Sequence, residues 1–109
     1  MVTITFYKDR AERYSMLRAH GHTGWSQAGS DIVCAAVSAI LQAARLGLEE
    51  VAHVQLSVTQ HDGTMLLGWD ETSRDHAALN TILRAAELSL KQIAQQYPEH
   101  VRLRSEPQA

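Results

Sequence analysis

Gly21-His22-Thr23-Gly24-Trp25-Ser26-Gln27-Ala28-Gly29-Ser30-Asp31-Ile32-Val33-Cys34-Ala35-Ala36-Val37-Ser38 is the stretch on which the reading of this chain turns. It joins a glycine-bounded loop to a nearly all-apolar helix and contains the only cysteine. Asp31 or Ser30 is expected to cap that helix, because a short side-chain oxygen accepts the unpaired amide hydrogens of a first turn. Cys34 then falls in or just after the first turn. There the partial positive charge of a helix N-terminus favours thiolate over thiol. His22 is the nearest candidate base, across a loop that holds Gly21, Gly24 and Gly29. A cysteine with a histidine upstream points to a hydrolase that works through a covalent intermediate.

Each of these residues also has a plainer reading. Cys34 could be a small buried hydrophobe, and spacing alone fixes no distance between it and His22. Asp31 is first a cap, although a carboxylate three residues before Cys34 lies on the same helical face and could orient His22. Ser38, four residues after Cys34, shares that face; its plain role is a hydroxyl bonded one turn back. Trp25 is either a lid that contacts substrate or a core plug, and Trp69 reads as core.

Downstream of the loop, between Ile32 and Leu48, only Ser38, Gln42 and Arg45 are clearly polar. A helix apolar nearly all round, from about Asp31 to Val51, is buried on more than one side. A sheet can cover one side of it, and little chain remains for the other. A homodimer is therefore expected, with Ala35, Ala36, Ala39, Ala43 and Ala44 permitting close approach. Glu49 and Glu50 oppose the macrodipole near its end.

The flanking segments supply the sheet. Val2, Ile4 and Phe6 alternate with Thr3, Thr5 and Tyr7 to give a first strand. Tyr14 to His20 gives a second, with a bulge expected where Met16 and Leu17 are adjacent. Val54, Leu56 and Val58 predict a third. Asp62-Gly63 marks a tight hairpin, and Met65, Leu67 and Trp69 return. Thr72 or Ser73 is expected to cap a second helix, whose apolar residues run at helical spacing from Leu79 to Tyr97 before Pro98 stops it. Val101 and Leu103 suggest a short last strand, with 106–109 as a loose tail. The fold expected is α+β, a two-layer sandwich in the order β-β-α-β-β-α-(β), with two helices packed on one sheet. Strand order is not readable.

Composition narrows the function further. A chain of 109 residues holds one domain, 1–109, with a modest core. A net charge of −2 gives no broad pull toward nucleic acid or anionic lipid, so neither is expected as a partner. One cysteine allows no internal disulfide, which suits a reducing cytoplasm. The start lacks a signal-peptide pattern, and no segment is expected to reach the roughly 20 apolar residues of a membrane span. His20, His53, His61, His76 and His100 show no metal-ligand spacing and there are no further cysteines, so neither metal nor cofactor is expected. There is no phosphate-binding loop, dinucleotide fingerprint or Gly-x-Ser-x-Gly elbow.

At Gly21-His22, Gly29 and the unbroken run Asp31 through Ser38, the sequence resembles the ribosomal-processing cysteine proteases (Prp). A second match is the stretch Leu90 to Glu99, which resembles the family's C-terminal helix ending in Tyr-Pro-Glu; Gly47-Leu48-Glu49 is a lesser one. The resemblance implies a bacterial cytoplasmic endopeptidase, active as a homodimer. Its substrate would be the precursor of large-subunit ribosomal protein number twenty-seven, from which it removes an N-terminal extension. Carried over by position, Cys34 is the nucleophile and His22 the base, with Asp31 and Ser38 supporting. Gly21, Thr23, Gly24, Trp25 and Gly29 form the substrate loop. Thr23 stands where Ala is common in the family, and Trp25 is bulkier than the pattern leads one to expect. Two rival classes are a non-catalytic module that docks on ribosomal components, and a redox sensor built on Cys34. The second would need a partner thiol from outside the chain.

Overall fold

The computed structural model describes residues 1–21, 28–61 and 63–108; within 28–31 it describes the backbone alone. Among the described residues five strands and two helices follow one another as β1 (Val2–Lys8), β2 (Tyr14–His20), α1 (Ala28–Leu46), β3 (Ser57–His61), β4 (Thr64–Gly68), α2 (Ala77–Gln96) and β5 (Val101–Pro107). A π-helical turn, Gly47–Val51, continues α1, and a 3-10 turn, Glu71–Asp75, precedes α2. The sheet order is β3-β4-β2-β1-β5. All neighbours are antiparallel except β1 and β5, which run parallel. The expected two-layer α+β sandwich, with two helices on one sheet, is thus the observed architecture, and the sheet is mixed.

Alternation along the strands builds the core. Val2, Ile4, Phe6, Leu17, Ala19, Met65, Leu67 and Val101 are buried on the helix side. They meet Val33, Val37, Leu41, Ala44 and Leu48 from the first helix and Leu79, Leu83, Ala86 and Leu90 from the second. The buried positions of α1 thus recur every three or four residues, one stripe of a helix.

The remaining face of α1 is apolar as well. Ile32 (71% exposed) and Leu46 (56%) are bare, and Ala35, Ala39 and Ala43 between them are exposed. Ile32–Val51 is 20 residues long with a mean hydropathy of 1.5. This corrects the expectation that no segment reaches a span's length and composition. One-third of that stretch is buried, and its buried stripe forms the middle of the core.

Several local expectations also change. The bulge lies at Ser15: Tyr7 pairs with Met16 and Lys8 with Tyr14, so Ser15 is the extra residue. Helix α1 starts at Ala28, so Ser30 and Asp31 are inside it and neither is its cap. The second helix is capped by neither Thr72 nor Ser73. Asp70 caps the 3-10 turn by accepting from the Ser73 amide, and His76 caps α2 through Nδ1, which accepts from the Ala78 amide. The third strand begins at Ser57 rather than Val54; Val54 is buried, its amide donating to the Leu48 carbonyl beyond the π-helical turn. The tail from 106 is not loose through Pro107, since β5 stays in register with β1 to Lys8↔Pro107. Proline is tolerated there because β5 is an edge strand. Helix α2 ends before Tyr97-Pro98, as expected. Glu49 is offset by Arg45, 3.0 Å away.

Polar ties anchor the sheet to α2. Tyr14 OH donates to Glu87 Oε1 at 2.5 Å, Arg84 Nη1 donates to the same oxygen at 2.9 Å, and Lys8 Nζ lies 3.6 Å from Oε2. Burial alone would raise the Glu87 carboxyl, but the two donors and the Lys8 ammonium outweigh it and hold the group below the usual carboxylate range. Burial and that carboxylate push the Tyr14 phenol well up. Trp69 is in the core, as read, with Nε1 donating to the Tyr14 carbonyl at 3.0 Å.

Candidate active site

Cys34 is the seventh residue of α1, in its second turn. It therefore falls just after the first turn, as expected, although the helix begins three residues earlier than Asp31. In an α-helix the amide of residue 34 donates to the carbonyl of residue 30, and only the first four amides lack such an acceptor. The open amides therefore belong to 28–31, one turn before the thiol. The macrodipole falls off within the first turn, so helix position alone does not activate this cysteine.

Placement against the sheet matters more. Cys34 is only 4% exposed and lines a cavity of about 380 Å³ between α1 and one end of the sheet. From α1 the cavity takes Cys34, Val37, Ser38, Leu41 and Gln42, two successive turns of one face. From the strands it takes Val2, Ala19, His20 and Gly21, then Gln60 and His61, then Gly63, Thr64 and Met65. Val2, Ala19, Val37, Leu41 and Met65 are buried and form an apolar floor. Ser38, Gln42, Gln60 and His61 are exposed around it. An apolar floor with amide and hydroxyl groups at its mouth suits one apolar side chain of an extended peptide, whose backbone can hydrogen-bond at the rim.

Two glycines hold the rim together. His61 pairs with Thr64 around a two-residue turn, where Gly63 has φ +76°. His20 pairs with Thr64 from the other side, with Nδ1 and Oγ1 3.1 Å apart. The Gly21 amide donates to the Gly63 carbonyl at 3.0 Å, bringing the end of β2 against the hairpin. Gly21 has φ +93°, and a Cβ there would lie 2.5 Å from the Met1 carbonyl oxygen. Only glycine fits that corner.

The structure therefore brings together Cys34, Ser38 and Gly21 of the expected site residues. Gly29 and Asp31 are on α1, which makes the three-residue step from Asp31 to Cys34 a helical one. His22, Thr23, Gly24 and Trp25 lie outside the described residues, as does Asp62 of the hairpin. Gln42, Gln60, His61 and Thr64 join the site without having been expected there. Gln42 carries a signal, being polar on an apolar helix two turns after Cys34. The other three converge only through the sheet order. Among the described residues no cluster of histidine, cysteine and carboxylate could hold a metal ion.

The same fold occurs in proteins of known structure. The SMU.848 protein from Streptococcus mutans shares it, with 28% identity, TM-score 0.86, and coverage of 99% of this chain and 96% of that one. The ribosomal processing protease Prp from S. aureus, in complex with a covalently linked product peptide, matches at 24% identity and TM-score 0.84, over 97% of this chain and all of that one. Its complex with a substrate peptide matches at 23% identity and TM-score 0.85, with the same coverage. No curated protein sequence matches. The family model described as cysteine protease Prp matches residues 1–102. A match over nearly the whole sequence, on a chain that carries its single cysteine in the wall of a cavity, places the protein in the Prp family of cysteine proteases.

Proposed function

We propose that this chain is the endopeptidase that removes an N-terminal extension from the precursor of large-subunit ribosomal protein number twenty-seven, with Cys34 as nucleophile and His22 as base. The observation that carries the reading is Cys34 itself, the sequence's only cysteine, on the wall of the cavity. His22 removes the thiol proton, and the thiolate Sγ attacks the scissile carbonyl. The tetrahedral intermediate collapses as the C–N bond breaks, and the departing amine takes the proton from His22. Water, deprotonated by His22, then adds to the thioester; the C–S bond breaks, the acid leaves, and His22 returns the proton to the Cys34 sulfur. Asp31 orients the imidazole, and Ser38 supports the thiol from one turn further along the cavity wall. The amides of 28–31 are the open donors of the helix and supply positive potential toward the developing oxyanion.

Gly21, Thr23, Gly24, Trp25 and Gly29 form the loop that closes over the peptide. The enzyme works as a homodimer in the cytoplasm, the exposed stripe Ile32, Ala35, Ala39, Ala43 and Leu46 meeting the same stripe of a second copy. A continuous apolar face of this length is costly to leave in water.

The test is incubation of the purified protein with its own organism's version of that ribosomal protein, followed by intact mass measurement. Loss of a short N-terminal peptide with wild type and none with Cys34→Ala is the expected result. An uncut substrate that carries an extension, exposed to folded wild type, would refute the assignment.

A further inference from the structure

We infer that the open face of the sheet is a binding site for single-stranded RNA, centred on a groove along β1. The face away from the helices has its own chemistry. Thr3, Thr5 and Tyr7 form the floor of a groove of about 430 Å³, with Arg18 on one side and Arg104 and Glu106 on the other. Register fixes the arrangement: Thr5 pairs with Arg18 on β2 and with Arg104 on β5. The two guanidinium-bearing positions therefore flank one threonine in a single cross-strand row, about 10 Å apart at two strand spacings. In the next row Thr3 pairs with Arg102.

Arg104 is tied to Glu106 at 3.0 Å, whereas Arg18 and Arg102 have no ion pair among the described residues. The expectation of no nucleic-acid partner rests on the net charge of −2. Net charge averages over the surface, and this face runs against the average: three arginines to one glutamate.

The groove also offers more than charge. The hydroxyls of Thr3 and Tyr7 and the half-buried Tyr7 ring are interleaved with the arginines, over Thr5, which is buried beneath them. Phosphates suit the arginines, a sugar 2′-hydroxyl suits Thr3, and a base suits an aromatic face; flat sheets with this mixture serve as single-strand platforms. An acidic peptide would satisfy the arginines and leave the ring unused. The groove and the Cys34 cavity lie on opposite faces of the sheet and share only His20 at the rim. RNA held here would leave the cavity open.

The experiment is fluorescence anisotropy of a short labelled single-stranded RNA titrated with the intact protein at about 50 mM and about 200 mM salt. The expected result is saturable binding that weakens steeply with salt. Arg18→Glu with Arg104→Glu should weaken it at least tenfold and flatten the log–log salt slope by about 1.4, since each phosphate no longer neutralised removes about 0.7. Arg102→Glu, on the exposed edge strand, is the second variant, and thermal unfolding shows that each is folded. Absence of binding at the lower salt overturns the inference, as does binding that charge reversal leaves unchanged. Polyglutamate competing as well as RNA would also overturn it and identify an acidic protein as the partner.

Discussion

Replacing Glu87 with glutamine separates the charge of the buried hub from its shape. The side chain is 9% exposed and holds Tyr14 at 2.5 Å and Arg84 at 2.9 Å on one oxygen, with Lys8 at 3.6 Å from the other. Glutamine keeps the volume and one acceptor for the Tyr14 hydroxyl. A hydrogen bond to a charged group contributes about 1 kcal/mol more than a neutral one. Lys8, about a quarter exposed, loses a partially screened attraction of up to about 1 kcal/mol. Arg84 is mostly in water and adds little. The expected loss is about 2 kcal/mol, or a Tm lower by about 10 °C. Glu87→Ala also leaves a void and an unpaired buried hydroxyl, and should cost about 3–5 kcal/mol.

The pH dependence checks the same hub independently. The folded carboxyl titrates below the unfolded one, so its contribution is fully present above an unfolded pKa of about 4.3 and is lost as pH falls through the lower folded value. Asp9 and Asp70 are also held low in the folded state and shape the same acid limb with or without the substitution. The difference in Tm between wild type and Glu87→Gln should therefore be constant near neutrality and shrink on acidification. Thermal unfolding by circular dichroism from neutral pH to about pH 3 measures it. A difference that is absent at neutral pH, or that grows with acid, would refute the account of the hub.

Cys34→Ala should abolish cleavage and cost at most about 1–2 kcal/mol of stability, checked by mass spectrometry beside thermal unfolding. Gly21→Ala must adopt φ +93° and displace the Met1 carbonyl, so it should lose about 2–4 kcal/mol and cleavage together; an unchanged Tm would remove Gly21 as the corner of the rim. Ala39→Arg should convert a micromolar dimer to a monomer by light scattering, and a monomeric wild type would refute the stripe as an interface. With Trp69→Phe removing background, Trp25 fluorescence should change when an uncleavable peptide binds the Cys34→Ala protein; a fixed signal with binding confirmed would end the loop's role as a lid.

Periodicity makes much of this fold legible. The period-two runs at Val2–Phe6 and Met65–Trp69 and the helical spacing from Leu79 onward bury the sides they indicate, because one-sided burial leaves that pattern in sequence. Elements held by distant partners are harder to read. Glu106 and Pro107 look like tail until β1 is placed beside them, since an edge strand on an open face needs few apolar residues. The start of α1 is hidden because Ala28-Gly29-Ser30 contains no boundary signal stronger than Asp31. His76 is an uncommon cap that no pattern singles out. At the site, Cys34, Ser38 and Gly21 are legible because the helix and the loop that precedes it are contiguous in sequence. Thr64 and Gln60 reach the cavity only because β4 lies between β2 and β3.

Strand β1 pairs on one side with β2, which follows it at once, and on the other with β5, so that Val2 lies beside Val101. During synthesis the first ladder can form as soon as His20 has emerged, while the second waits for nearly the whole chain. Until then Val2, Ile4 and Phe6 belong to an unpaired sheet edge, the kind that recruits foreign strands. Every described residue that lines the Cys34 cavity lies between Val2 and Met65. The nascent chain therefore carries these walls of its pocket well before it can seal its own sheet. Closing that last parallel seam spans almost the full sequence, and such long-range pairing is intrinsically slow because the loop must close before its contacts can form.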